Sequence, residues 1–232
     1  MKNIIYTLIA VMLGGCCQIG GLPCLNNKPS GKIIIQPDVV YMGASGWTIS
    51  FSPNMPKNPA EIDPLSPGKG WTFNFPDVDG VHMILVPYRA NKPHKALTIT
   101  YRVTALGGAP RFLSVDPCQP NEPASFRPML QRKGDNMTAA DEFYRWWSKP
   151  TPLVADGQVH TVSFSLTYDS WTVKRPKNFK GAVFGKTDPT QFTVATQDLM
   201  AVGISFGGCY AAHGAKEVGG KAKFEMLGYK IE

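Results

Sequence analysis

The sequence predicts an all-β fold: an antiparallel two-sheet β-sandwich of jelly-roll type. Three observations predict it. The 232 residues include 23 glycines and 20 prolines, punctuation that suits many short strands joined by turns. Several segments alternate apolar and polar residues one by one, the period of a strand with one face on a core. No long helical pattern and no internal repeat is evident.

The elements follow in chain order. "MKNIIYTLIAVMLGGCC" carries one lysine, an apolar run from Ile4 to Leu13, and then small residues. The run is too short to span a bilayer as a helix and fits a secretory signal over residues 1–15. Leu13-Gly14-Gly15-Cys16 resembles the bacterial lipobox, which implies that Cys16 is acylated and that the chain is tethered to a membrane surface. Ordinary cleavage with a secreted product is the alternative. Residues 16–31 read as a tether and residues 32–232 as one domain. Strands are expected over "KIIIQPDVVYM", over "GWTISFSP", and, after a proline-rich loop, over "WTFNFP". "VHMILVPYR" is a nearly continuous apolar run that suits a central strand. The clearest strand is "KALTITYRVTAL". Leu97, Ile99, Tyr101 and Val103 point one way, while Thr98, Thr100, Arg102 and Thr104 point toward water or a ligand. "RFLSVDP" and "SFRPMLQRK" follow as two further strands, and "MTAADEFYRWW" as a helical turn leading into a strand. "DGQVHTVSFSLTYDSW" opens on an Asp-Gly turn and then alternates, and "LMAVGISFGG" follows after a loop. In "GKAKFEMLGYKIE" the inward set changes phase, which places a β-bulge near Leu227–Gly228.

The chain has five cysteines. With Cys16 taken by lipid, Cys17, Cys24, Cys118 and Cys209 remain, an even number that suits disulfides in an oxidising compartment. Cys118 is paired with Cys209, and Cys17 with Cys24. Cys209-x-x-x-His213 has ligand-like residues, but two ligands do not make a metal site.

The back half of the chain resembles a known family. "ADGQVHTVSFSLT", then "LMAVGISFGG", then "GKAKFEMLGYKIE" resemble the strands of carbohydrate-binding-module jelly rolls, the galactose-binding-like sandwiches. "GWTFNFPDVDGVHMILVPYR" is similar in rhythm, so the resemblance spans residues 70–232. It implies non-catalytic binding of a glycan or polysaccharide on a sheet face or at loop tips. The family's terminal Asp pair, associated with a structural calcium, is missing from "EMLGYKIE", so calcium is unsupported and no cofactor is expected.

The chemistry of sugar recognition narrows the candidates. Sugar C–H patches stack on aromatic faces, and hydroxyls need directional partners. In "EFYRWW" an extended chain puts Arg145 and Trp147 on one face and Trp146 on the other. A buried guanidinium needs a paired carboxylate, so the Arg145 face is expected outward. Trp147 would then be exposed, Trp146 in the core, and Arg127, Gln131 and Arg102 on the same surface. Trp47, Trp71 and Trp171 are assigned to core or rim.

Catalysis finds little support. The carboxylates Asp116, Asp141, Glu142, Asp169 and Glu225 form no same-face pair on one strand, and Ser205 in "GISFGG" does not lie in a nucleophile elbow. No catalytic residue is assigned, and a jelly-roll glycoside hydrolase or lyase is a distant alternative. The net charge of +7 comes from scattered basic residues, without the dense stripe of a nucleic-acid binder. The reading is an exported carbohydrate-binding module at the membrane or cell surface. The alternative is a structural or protein-interaction lipoprotein of an envelope or phage particle.

Overall fold

The computed structural model describes residues 46–50, 62–66, 69–78, 80–89, 93–137, 143–173, 189–209 and 211–232. Residues 1–45 lie outside these, and with them the signal, the lipobox Cys16, the tether, the Cys17–Cys24 pair and the first expected strand. Residues 138–142, which include Asp141 and Glu142, also lie outside. Gly31–Glu232 forms one compact unit.

Among the described residues there are twelve strands. They are β1 (Thr48–Ser50), β2 (Asp63–Pro64), β3 (Trp71–Asn74), β4 (Met83–Pro87), β5 (Ala96–Ser114), β6 (Ser125–Arg132), β7 (Arg145–Ser148), β8 (Thr151–Pro152), β9 (Asp156–Ser165), β10 (Trp171–Val173), β11 (Leu199–Gly207) and β12 (Ala215–Ile231). One helix, α1 (Pro189–Gln197), precedes β11. The five-stranded sheet runs β2-β3-β12-β5-β9, and the seven-stranded sheet runs β1-β4-β11-β6-β7-β10 with β8 on β6. All pairings are antiparallel. The chain passes repeatedly from one sheet to the other, and β11 and β12 enter the middles of the two sheets. This is a sandwich of jelly-roll type.

Alternation builds the core between the sheets. Leu97, Ile99, Tyr101 and Val103 of β5 are buried against the second sheet, as their period predicts. Aromatic rings dominate the centre. Tyr101 stacks on Phe224 at 5.8 Å, and Phe206 meets Phe224 edge-on at 5.3 Å, spacings at which ring quadrupoles attract. Trp47, Trp71, Trp146 and Trp171 all belong to this core.

Three features differ from or refine the sequence reading. "RFLSV" is no separate strand; it continues β5, which pairs with β12 along almost its whole length. Gly107 and Gly108 face Gly220 and Lys221 midway, where a Cβ on Gly220 would lie 2.4 Å from the Gly107 carbonyl. Glycine therefore lets the two backbones cross without ending the ladder. The expected bulge lies in β12 as a register shift between Met226 and Gly228. Helix α1 was not anticipated, because "PTQFTVATQ" is rich in β-branched residues. Pro189 suits its first position. Tertiary packing supplies the rest: buried Phe192 meets Trp146 at 5.0 Å and Trp171 at 6.0 Å.

Candidate functional site

Each sheet has an outer face, and the two faces are unlike. On the seven-stranded sheet the register lays side chains in rows. Leu85, Gly203, Met129, Trp147 and Thr172 form one row; Pro87, Ala201, Gln131 and Arg145 the next; Met83, Ser205 and Arg127 a third. Trp147 does point away from Trp146, as the strand period requires. It is not exposed, however. Its relative exposure is 1%, against 0% for Trp146. Trp147 packs in a second apolar cluster with Met83, Leu85, Met129, Ala201 and Ala211, and Met137 joins its edge. The expectation of an open indole platform is therefore corrected.

The physical reason is a carboxylate that the sequence did not offer as a partner. Arg145 is 3% exposed, and its Nε lies 3.4 Å from Asp135 Oδ2. Gln131 Nε2 donates to the same oxygen at 2.8 Å, and the Met137 amide donates to Asp135 Oδ1 at 2.9 Å. A guanidinium so paired tolerates burial that an isolated one would not. Arg127 and Gln131, also expected on an open surface, are 7% and 6% exposed. Burial pulls the Arg127 guanidinium down to about 10, against the opposing pull of Asp116.

At the disulfide end of this face, His82 is buried and its ring lies 4.8 Å from that of His213. Desolvation, followed by repulsion from His213 and Arg145, holds His82 well below the usual imidazole range. The Ser205 hydroxyl is fully buried and has no hydrogen-bond partner among the described residues. The Cys118–Cys209 disulfide is present, with Cα atoms 6.3 Å apart. It closes a separation of 91 residues, worth about 4–5 kcal/mol in the chain-entropy account.

Arg102 does not join Arg127 and Gln131. It lies on the outer face of the other sheet, because β5 and β6 belong to opposite layers. There its Nε and Nη2 donate to Glu225 Oε2 and Oε1 at 2.6 and 3.0 Å. Lys223 Nζ lies 3.2 Å from Oε1. Arg102, followed by Lys223, holds the Glu225 carboxyl below its ordinary value. Beside this cluster runs a hydroxyl ladder. Thr98 meets Ser163 at 2.8 Å and Thr100 meets Thr161 at 3.1 Å. Ser165 and Thr167 extend it at 3.1 Å, and Thr167 donates to Asp169. Thr161, Ser163 and Ser165 are exposed, and Thr98, Thr100 and Arg102 are half-buried. Gly228 pairs with Thr100 on the opposite side and adds no side chain beside it.

Two of the candidate carboxylates, Glu225 and Asp116, take structural roles. Glu225 is held by its two cations, and Asp116 accepts from the amides of Cys118 and His213 at 3.1 and 3.3 Å. A general acid in glycoside hydrolysis needs a raised pKa, and Glu225, Asp77 and Asp156 are all shifted downward.

No family model and no curated protein matches the chain. Among solved structures, the chain is similar to a xylan-binding module CBM15 at 15% identity, over 82% of this chain and 96% of that one, with a TM-score of 0.43.

Proposed function

We propose that this chain is a non-catalytic, exported binding module whose ligand is a glycan, engaged on the outer face of the five-stranded sheet. The observation that carries the reading is the solvent-facing hydroxyl ladder of Thr98, Thr100, Thr161 and Ser163 beside the Arg102–Glu225 pair. Cross-strand hydroxyls recur every ~4.8 Å and along-strand ones every ~6.7 Å. A mutual pair of hydroxyls uses one proton and one lone pair. It keeps one donor and several acceptor sites for a polyhydroxylated ligand. Arg102, braced by Glu225, adds fixed N–H groups. The sealed face cannot serve in this conformation, because Trp147 offers no accessible ring.

Affinity electrophoresis against a panel of soluble polysaccharides tests this. Wild type is expected to be retarded by at least one of them, and Thr100→Val with Thr161→Val is expected to lose the retardation while melting normally. No retardation of wild type on any glycan, or equal retardation of the variant, refutes it.

The disulfide supports an oxidising compartment, in keeping with export. The lipid anchor at Cys16 belongs to the same proposal. Cys16→Ser is expected to move the protein from the membrane fraction to the soluble one; unchanged retention contradicts acylation.

A further inference from the structure

The sequence showed two ligand-like residues at Cys209 and His213; the fold brings two more beside them. The Asp116 carboxylate and the sulfurs of Cys118 and Cys209 lie within 4.8 Å of one another. His213 Nδ1 lies 3.9 Å from Asp116 Oδ2. While the sulfurs are bonded to each other they offer no thiolate. We propose that reduction of the Cys118–Cys209 disulfide unmasks a tetrahedral site for a zinc-class divalent cation, formed by Cys118, Cys209, Asp116 and His213.

The balance is simple. A dithiol or phosphine reductant supplies two electrons, two protons are taken up, and the S–S bond becomes two thiols. The cation then displaces those two protons and binds the thiolates. Tetrahedral zinc with Zn–S bonds of ~2.3 Å needs its sulfurs about 3.7 Å apart. A Cα–Cα distance of 6.3 Å permits that opening without moving the backbone far.

The cluster does not depend on the S–S bond alone. Gly208 and Asp116 amides donate to Ser114 Oγ at 2.9 and 3.0 Å, and the Cys209 amide donates to Gln119 Oε1 at 2.5 Å. The Cys118 and His213 amides each donate to Asp116, which ties the two cysteine-bearing turns to one carboxylate. These bonds fix Asp116 while leaving its carboxylate oxygens further lone pairs for a metal. Two thiolates and a carboxylate would leave a divalent ion's site at one net negative charge. Arg127, which acts electrostatically on Asp116, offsets it. The His213 side chain is 26% exposed, and Cys118 is exposed, so an ion has a way in.

The test uses the full chain with Cys16, Cys17 and Cys24 replaced by serine, so that the remaining pair supplies every thiol. Cobalt(II) is titrated into the phosphine-reduced and the oxidised protein. The reduced protein is expected to show tetrahedral d–d bands and a sulfur-to-cobalt charge-transfer band at one ion per chain, both abolished by zinc. The oxidised protein is expected to show neither. His213→Ala and Asp116→Asn should each weaken binding roughly 10-fold or more. Absence of the bands in the reduced chain overturns the proposal. So does loss of the near-ultraviolet circular dichroism on reduction before metal is added, or a spectrum that persists when Cys118 and Cys209 are also serine.

Discussion

The two outer faces of this sandwich each pair an arginine with a carboxylate, and they ended differently. Both carry arginines beside strand hydroxyls or amides. On the seven-stranded sheet Arg145 meets Asp135 and is buried on the face that also holds the Trp147 cluster. On the five-stranded sheet the arginine meets Glu225 and stays partly in water, with its side chain 37% exposed. What separates the faces is the company of the charge. Methionine, leucine and tryptophan share the outer face with Arg145, and burying them outweighs the desolvation of a paired guanidinium. Threonine and serine hydroxyls run along the face beside Arg102, and their burial would bring no such gain. A surface for recognition therefore cannot be inferred from the presence of arginine and tryptophan alone.

Substitution of Trp147 should break the contrast most visibly. Trp147→Ala is expected to cost about 3–5 kcal/mol, as for other large core truncations, read from urea unfolding. A loss below about 1 kcal/mol would mean the face is open after all.

Acidification should come next. His82 is neutral in the fold because burial depresses its pKa, whereas the unfolded imidazole takes up a proton below about 6.5. Stability is thus undiminished by this group above that value and falls as pH drops from 6.5 toward the depressed folded value. Melting temperatures between pH 7.5 and 5 should show this decline, and His82→Gln should flatten it. An equal slope in both proteins would place the pH dependence elsewhere.

The exposed ladder should respond least. Thr161→Ala with Ser163→Ala is expected to change stability by no more than about 0.5 kcal/mol per site, measured by the same urea titration. A larger loss would make the ladder a structural device and weaken its assignment to ligand binding.

The period of each strand already distinguished the two faces. β5 alternates strictly, and the sheet it belongs to has one open side. β4 reads Met-Ile-Leu-Val without a break, and all four residues are buried. Such a run marks a strand covered on both sides, and between the end residues of β6 and along β7 it recurs, with Arg127, Gln131, Arg145 and Ser148 as buried polar interruptions. The information that Trp147 is sealed was present in its neighbours, not in its own tripeptide. The Asp135 partner was not legible, since it lies ten residues before Arg145 and no sequence period links the two. Nor was α1, whose formation depends on Phe192 finding two tryptophans that are distant in sequence. The split of Arg102 from Arg127 was equally hidden, because alternation assigns a side within a sheet but never says which sheet.

The placement of β11 and β12 has a consequence for how the chain is made. The two described strands that come latest in sequence occupy interior positions, β11 between β4 and β6 and β12 between β3 and β5. The seven-stranded sheet cannot close before β11 is present, nor the five-stranded sheet before β12, and pairings of such sequence separation form slowly. A nascent polypeptide of this design keeps both layers open until β11 and β12 have emerged. Removal of β12 from Lys223 onward would strip β3 of its β12 partner and open the five-stranded sheet at its middle, with the seven-stranded sheet left whole.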